Sequence, residues 1–176
     1  MQFTKDTFYI SLRDRLAAIN PSRVITLHGI TRPAVVVAEN EAVIPVKPLP
    51  DAFYIEWGAA QATAQQSGDR AIFEMECVIS YHTLGTVESG VDRGRSLAEL
   101  DTELITISRP ATSPKLDYTQ TPAAALGTSI VWSTPLLGRV VGSEAPNNEG
   151  LPRGTAGIRL ERTVSLKVFF FPEINF

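Results

Sequence analysis

The stretch IRLERTVSLKVFF, residues 158–170, decides the fold. Ile158, Leu160, Val164, Leu166, Val168 and Phe170 recur at every second position, with Arg162 as the one interruption. Arg159, Glu161, Thr163, Ser165 and Lys167 occupy the alternate positions. A period of two is the signature of a strand with one buried face. Near the end Phe169, and just after it Phe171, break the polar face. They have two homes open to them, beneath a helix in the core or against another subunit.

Working outward, a second long alternation predicts the partner. Over Arg70–His82, Ala71, Phe73, Met75, Cys77, Ile79 and Tyr81 share one face, and Glu74, Glu76, Ser80 and His82 the other. Phe53, Ile55 and Trp57 alternate with Tyr54, Glu56 and Gly58 before it. The polar stretch around Ser67-Gly68-Asp69 joins the two as an antiparallel pair. Further upstream, Val24–Leu27 and Ala34–Val37 read as a hairpin separated by Gly29 and Pro33. Pro45, Pro48 and Pro50 form a stiff extended connector.

Two segments have helical spacing instead. Phe8, Leu12, Leu16 and Ile19 put one apolar stripe on a helix over Asp6–Ile19, capped by Thr4 or Asp6 and ended by Asn20-Pro21. Leu97, Leu100, Leu104 and Ile107 do the same for Val91–Ile107, which Arg109-Pro110 ends. The fold class is therefore α+β. It is a mainly antiparallel, twisted sheet of long strands flanked by two principal helices. Residues 109–157 form a long insertion holding six of the twelve prolines and six of the twelve glycines. It reads as loop, with Asn147–Gly150 as its tip.

The whole chain, 176 residues, fits one domain, 1–176. Its net charge of −3 argues against a nucleic-acid reader, which carries a basic face. The single cysteine, Cys77, excludes an internal disulfide and reads as a reducing compartment. No apolar run approaches the roughly 20 residues of a membrane span. Met1 to Ile10 has no apolar signal core and reads as the mature start of a cytoplasmic protein.

The residues that carry chemistry elsewhere are sparse here. His28 and His82 are the two histidines. Cys77 and His82 lie five apart on one strand and so face opposite sides, which is wrong for a nucleophile and its base. Glu74 and Glu76 share a face without a second ligand pair at metal spacing. There is no P-loop, dinucleotide fingerprint or GxSxG elbow. No catalytic residue, metal or cofactor is expected. Gly90-Val91-Asp92-Arg93-Gly94 precedes a helix, but Arg93 and Arg95 read better as interface arginines, because the guanidinium fork suits carboxylates. Trp132 joins Phe169 and Phe171 as an ambiguous aromatic, core or interface.

The two long strands also pose a problem of length. Thirteen extended residues span about 43 Å, against a diameter of roughly 40 Å for a globule of this size. Either the strands bend, or they pair beyond the protomer.

The strand Phe73–Tyr81, the turn and helix Gly90-Val91-Asp92-Arg93-Gly94-Arg95-Ser96-Leu97 with Leu100, Leu104 and Ile107, and the closing Arg162–Phe170 resemble the tail-terminator and head–tail-joining proteins of long-tailed bacteriophages. The likeness lies in the order of elements over most of the chain. It implies a homo-oligomeric, hexameric ring that caps a tail tube and meets the head connector, assembled in the bacterial cytoplasm and retained in the virion. DNA would pass through without being read, and no catalytic residue is implied. The long 109–157 insertion departs from the smallest members. Another neck or minor tail component, or a small-ligand-binding domain, is the alternative.

Overall fold

The computed structural model describes residues 1–41, 48–63, 71–85, 90–144 and 158–172. Helix α1 (Gln2–Ile19) leads into a two-stranded hairpin, β1 (Val24–Leu27) and β2 (Ile30–Pro33). Then follow β3 (Val35–Val37), the single-turn α2 (Ala38–Glu41), β4 (Phe53–Ala62), β5 (Phe73–Thr83) and helix α3 (Gly90–Ile107). Strands β6 (Thr112–Asp117), β7 (Ala124–Trp132), β8 (Leu136–Leu137), β9 (Val141–Glu144) and β10 (Ile158–Phe170) complete the described chain. The eight strands from β3 to β10 form one sheet, antiparallel except for β3 beside β4. The class is α+β, as the alternation and the two helical stripes imply.

β10 is the sheet's axis. It pairs with β5 without a break, from Leu160 opposite Thr83 to Phe170 opposite Phe73. On its other side it meets β7, β8 and β9 in succession. The length problem is thus solved inside the protomer: both long strands run unbroken, and the 109–157 segment supplies the second partner. That segment is not the loop its prolines and glycines imply, at least over 112–144. Pro114 is tolerated because β6 is an edge strand, where a missing N–H breaks no ladder. Gly127, at φ 71°, sits where the β6–β7 register shifts, a backbone conformation that suits glycine. The expected tip at Asn147–Gly150, the Ser67-Gly68-Asp69 joint and Pro45 lie outside the described residues.

Three further expectations change. The hairpin partner of Val24–Leu27 is Ile30–Pro33, not Ala34–Val37. His28 and Gly29, at φ 50° and 80°, make the tight turn, and both positive angles match the twist of a two-residue hairpin. Val35–Val37, all buried, is released to the main sheet. Helix α1 starts at Gln2, with Met1 as N-cap and no side-chain cap. Its buried stripe runs through Thr4, Thr7, Phe8, Leu12 and Leu16, and Ile19 is left exposed.

Both long helices lie on one face of the sheet. Phe8 wedges edge-on between Trp57 and Trp132, with ring centroids 5.5 and 5.3 Å away. Such pairs add about 0.5–1.5 kcal/mol beyond the area they bury. Leu97, Leu100, Leu104 and Ile107 of α3 are buried in the same core as Met75, Cys77 and Ile79 of β5 and Val164, Leu166 and Val168 of β10. Arg162, the interruption in the apolar alternation, is a clamp. Its Nε lies 2.9 Å from Asp101 of α3, and its Nη1 donates to the Gly138 carbonyl at 2.8 Å. The Tyr81 hydroxyl donates to the same carboxylate at 2.5 Å.

Candidate functional site

Among the described residues no helix lies over the opposite face of the sheet. Strand register fixes what it displays. Glu56 of β4 stands opposite Val78 of β5, Val78 opposite Ser165 of β10, and Ser165 opposite Leu136 of β8. A neighbouring row runs from Gln61 through Glu74 and Phe169 to Val131. A one-residue bulge in β4 keeps this order. Trp57 pairs with Cys77 but Ala60 with Met75, so three residues of β4 oppose two of β5. Past the bulge Ala60 turns to the core and Gln61 to the open face. Gly58 stands at this point because a Cβ there would lie 3.0 Å from the Glu76 Cβ.

The face has two flanks of different chemistry. On the β7–β9 side Val131, Leu136 and Val141 are 43%, 71% and 49% exposed. On the β4–β5 side stand Glu56, Glu74 and Glu76. Gln61 and Lys167 donate to Glu74 at 2.7 and 2.9 Å, and those bonds hold its carboxyl below the usual range. Glu56 and Glu76 are exposed and make no hydrogen bond or ion pair among the described residues. Between the flanks a groove of about 480 Å³ is lined by Glu74, Glu76, Ser133, Leu136 and Lys167, among others. Its wall is firm. Ser133 N–H donates to the Lys167 carbonyl, and Lys167 N–H returns a bond to Ser133 Oγ, both at 2.9 Å.

The interface candidates fall into different places. Arg95 is exposed on α3 with no partner among the described residues. Arg93 is held by its own chain: its Nε donates to the Leu84 carbonyl at 3.2 Å, packed on Gly85, which sits at φ 63°. Trp132, 1% exposed, belongs to the core and presents no surface. Its Nε1–H donates to the Ser108 and Arg109 carbonyls at 3.1 and 3.0 Å, and the Arg15 guanidinium stacks on it. A tryptophan ring in a strand can satisfy its N–H only where carbonyls are free, here at the end of α3. Phe169 is half-buried on the open face, between Glu74 and Val131, rather than beneath a helix. Phe171 is half-buried just beyond β10, and its carbonyl accepts Lys115 Nζ at 2.7 Å. Missed in the sequence were Glu56, Glu76, Leu136 and Val141. The first two looked like ordinary strand polarity, and the last two lay in the presumed loop.

The residues with chemical potential do not converge. Cys77 faces the core, and burial, then the nearby Glu76, push its thiol up. His82 stands on the open face opposite Glu161, near Asp51 and Arg159. Burial and then Arg159 hold its imidazole below the ordinary range, and Asp51 and Glu161 oppose the shift. Among the described residues no three His, Cys, Asp or Glu side chains gather as metal ligands. Nor is any described helix long and apolar enough to cross a membrane. No protein-family model matches the chain, and no curated protein matches it.

Proposed function

We propose that the chain is a structural assembly protein that works by associating with copies of itself and with neighbouring proteins. Its order of elements resembles that of phage tail terminators, and the finer reading is a ring that caps a tail tube and meets a head connector. One observation carries the reading: among the described residues the eight-stranded sheet is covered by helices on one face, with exposed aliphatic side chains on the other. A solvated antiparallel face is normally polar. Here Val131, Leu136 and Val141 interrupt that polarity along one flank, spaced about 13 Å apart along β10, and exposed aliphatics on a rigid sheet face support a contact with a partner. The net charge of −3 suits a protein that DNA passes without sticking, since phosphate attraction needs clustered Lys and Arg.

Sedimentation analysis over a range of concentrations, followed by electron microscopy of any oligomer with and without phage tail tubes, tests this. A closed ring, or decoration of tube ends, is the expected result. A chain that stays monomeric at high concentration and ignores tail tubes would sink the proposal.

A further inference from the structure

The open face and the outer surface of α3 are complementary, and they lie on opposite sides of the sheet. Along α3, Arg95, Ala98, Thr102 and Ile105 are exposed and fall at helical spacing on one stripe. Thr102 Oγ1 donates to the Ala98 carbonyl at 2.8 Å, and Thr106 Oγ1 to the Thr102 carbonyl at 2.7 Å. Those hydroxyls are spent within the helix. The stripe therefore begins with Arg95, unpaired among the described residues, and reaches Ile105, which is 45% exposed, with the exposed Glu99 flanking it one turn after Arg95.

Across the open face, Glu56, Val78, Ser165 and Leu136 stand side by side on four adjacent strands. The row begins with a free carboxylate, reinforced by Glu76, and ends on the most exposed aliphatic of the surface. The lengths agree. Ten helical residues from Arg95 to Ile105 rise about 15 Å, and three strand spacings from β4 to β8 cover about 14 Å. The two ends of the stripe, Arg95 and Ile105, therefore match Glu56 and Leu136 in kind, in order and in span.

We propose that the open sheet face of one copy receives the outer stripe of α3 of a second copy, with Arg95 against Glu56 and Glu76 and Ile105 against Leu136. This rests on the assembly reading above and names its contact. Residues Ala98 and Thr102 then lie over Val78 and Ser165, where short side chains let the helix approach the sheet. The two surfaces differ, so the contact is heterologous: each copy gives its helix to one neighbour and its sheet to the other. Repetition closes into a ring if the rotation per copy allows.

Charge reversal tests the pairing. Arg95→Glu alone, and Glu56→Arg with Glu76→Arg alone, should each raise the concentration needed for association about tenfold or more. All three side chains are exposed and unpaired among the described residues, so thermal melts by circular dichroism, run below the concentration at which wild type associates, should be unchanged. The two variants mixed in equal amounts should co-assemble, because in an alternating array every contact again opposes unlike charges. Leu136→Asp should block association in either background. Association that persists in both charge variants, or a mixture no better than its components, overturns this contact while leaving the assembly reading intact. A wild type that is monomeric, but whose binding to tail tubes Glu56→Arg with Glu76→Arg abolishes, assigns the face to the tube protein and overturns the self-contact. A wild type that neither associates nor binds tubes overturns both.

Discussion

At the scale of single residues, the Asp101 carboxylate joins three elements through two partners. It accepts from Tyr81 of β5, pairs with Arg162 of β10, and belongs to α3. Burial and then this hydrogen bond push the Tyr81 phenol above its ordinary range, so it stays a donor throughout the working pH range. Asp101→Ala leaves a mostly buried guanidinium and a buried hydroxyl without their partner. The expected loss is about 2–3 kcal/mol, read from the denaturant midpoint. A loss below about 0.5 kcal/mol would mean that water replaces the carboxylate.

His82 gives a pH signature at the same scale. Its folded-state pKa lies below the unfolded value because burial penalises the imidazolium. Between the two values the unfolded chain binds the extra proton, so stability is complete above about pH 6.5 and falls as the pH drops through that region toward the folded value. His82→Gln should flatten this dependence in urea titrations run at several pH values. A slope unchanged by the substitution would assign the effect to other groups.

Among the elements, the short turn between β8 and β9 is the most tightly built. Gly138 N–H donates to the Thr163 carbonyl at 2.8 Å, and a Cβ on Gly138 would come within 2.6 Å of that same oxygen. Gly138→Ala must therefore push the turn off β10, at about 1–3 kcal/mol. Faster amide exchange confined to β8 and β9 would locate the damage, whereas native exchange there would refute the close approach. The legibility of the elements follows from the same physics. β5, β10 and α3 were plain because each buries one face over many residues, and a long period survives local noise. β6 to β9 were hidden because β6 and β7 carry Pro114 and Gly127, and β8 and β9 are short and owe their extended form to β10 rather than to their own propensities. Arg162 looked like an error in the alternation because its partner, Asp101, lies far off in sequence.

At the scale of the whole molecule, the described helices α1 and α3 cover one face of the sheet and leave the other without a helix. The sequence offered Arg95 and Phe169 as interface candidates but could not collect the residues of the open face, because Glu56, Glu76, Leu136 and Val141 meet only through strand register. It left Trp132 open between core and interface for a related reason. Trp132 closes the core only because the carbonyls ending α3 come to meet its N–H.

The position of β10 has a consequence for how the chain is made. It follows in sequence every strand that it joins, yet it lies between them. During synthesis the β3–β5 ribbon and the β6–β7 hairpin must therefore wait apart, each with an unpaired edge and with β8 and β9 unpaired, until residues 158–170 leave the ribosome. Naked edges of that kind are where nascent chains stick to one another. The interval before β10 emerges is thus when this protein depends most on chaperones, and a ribosome that stalls within it leaves two sheets with nothing to join them.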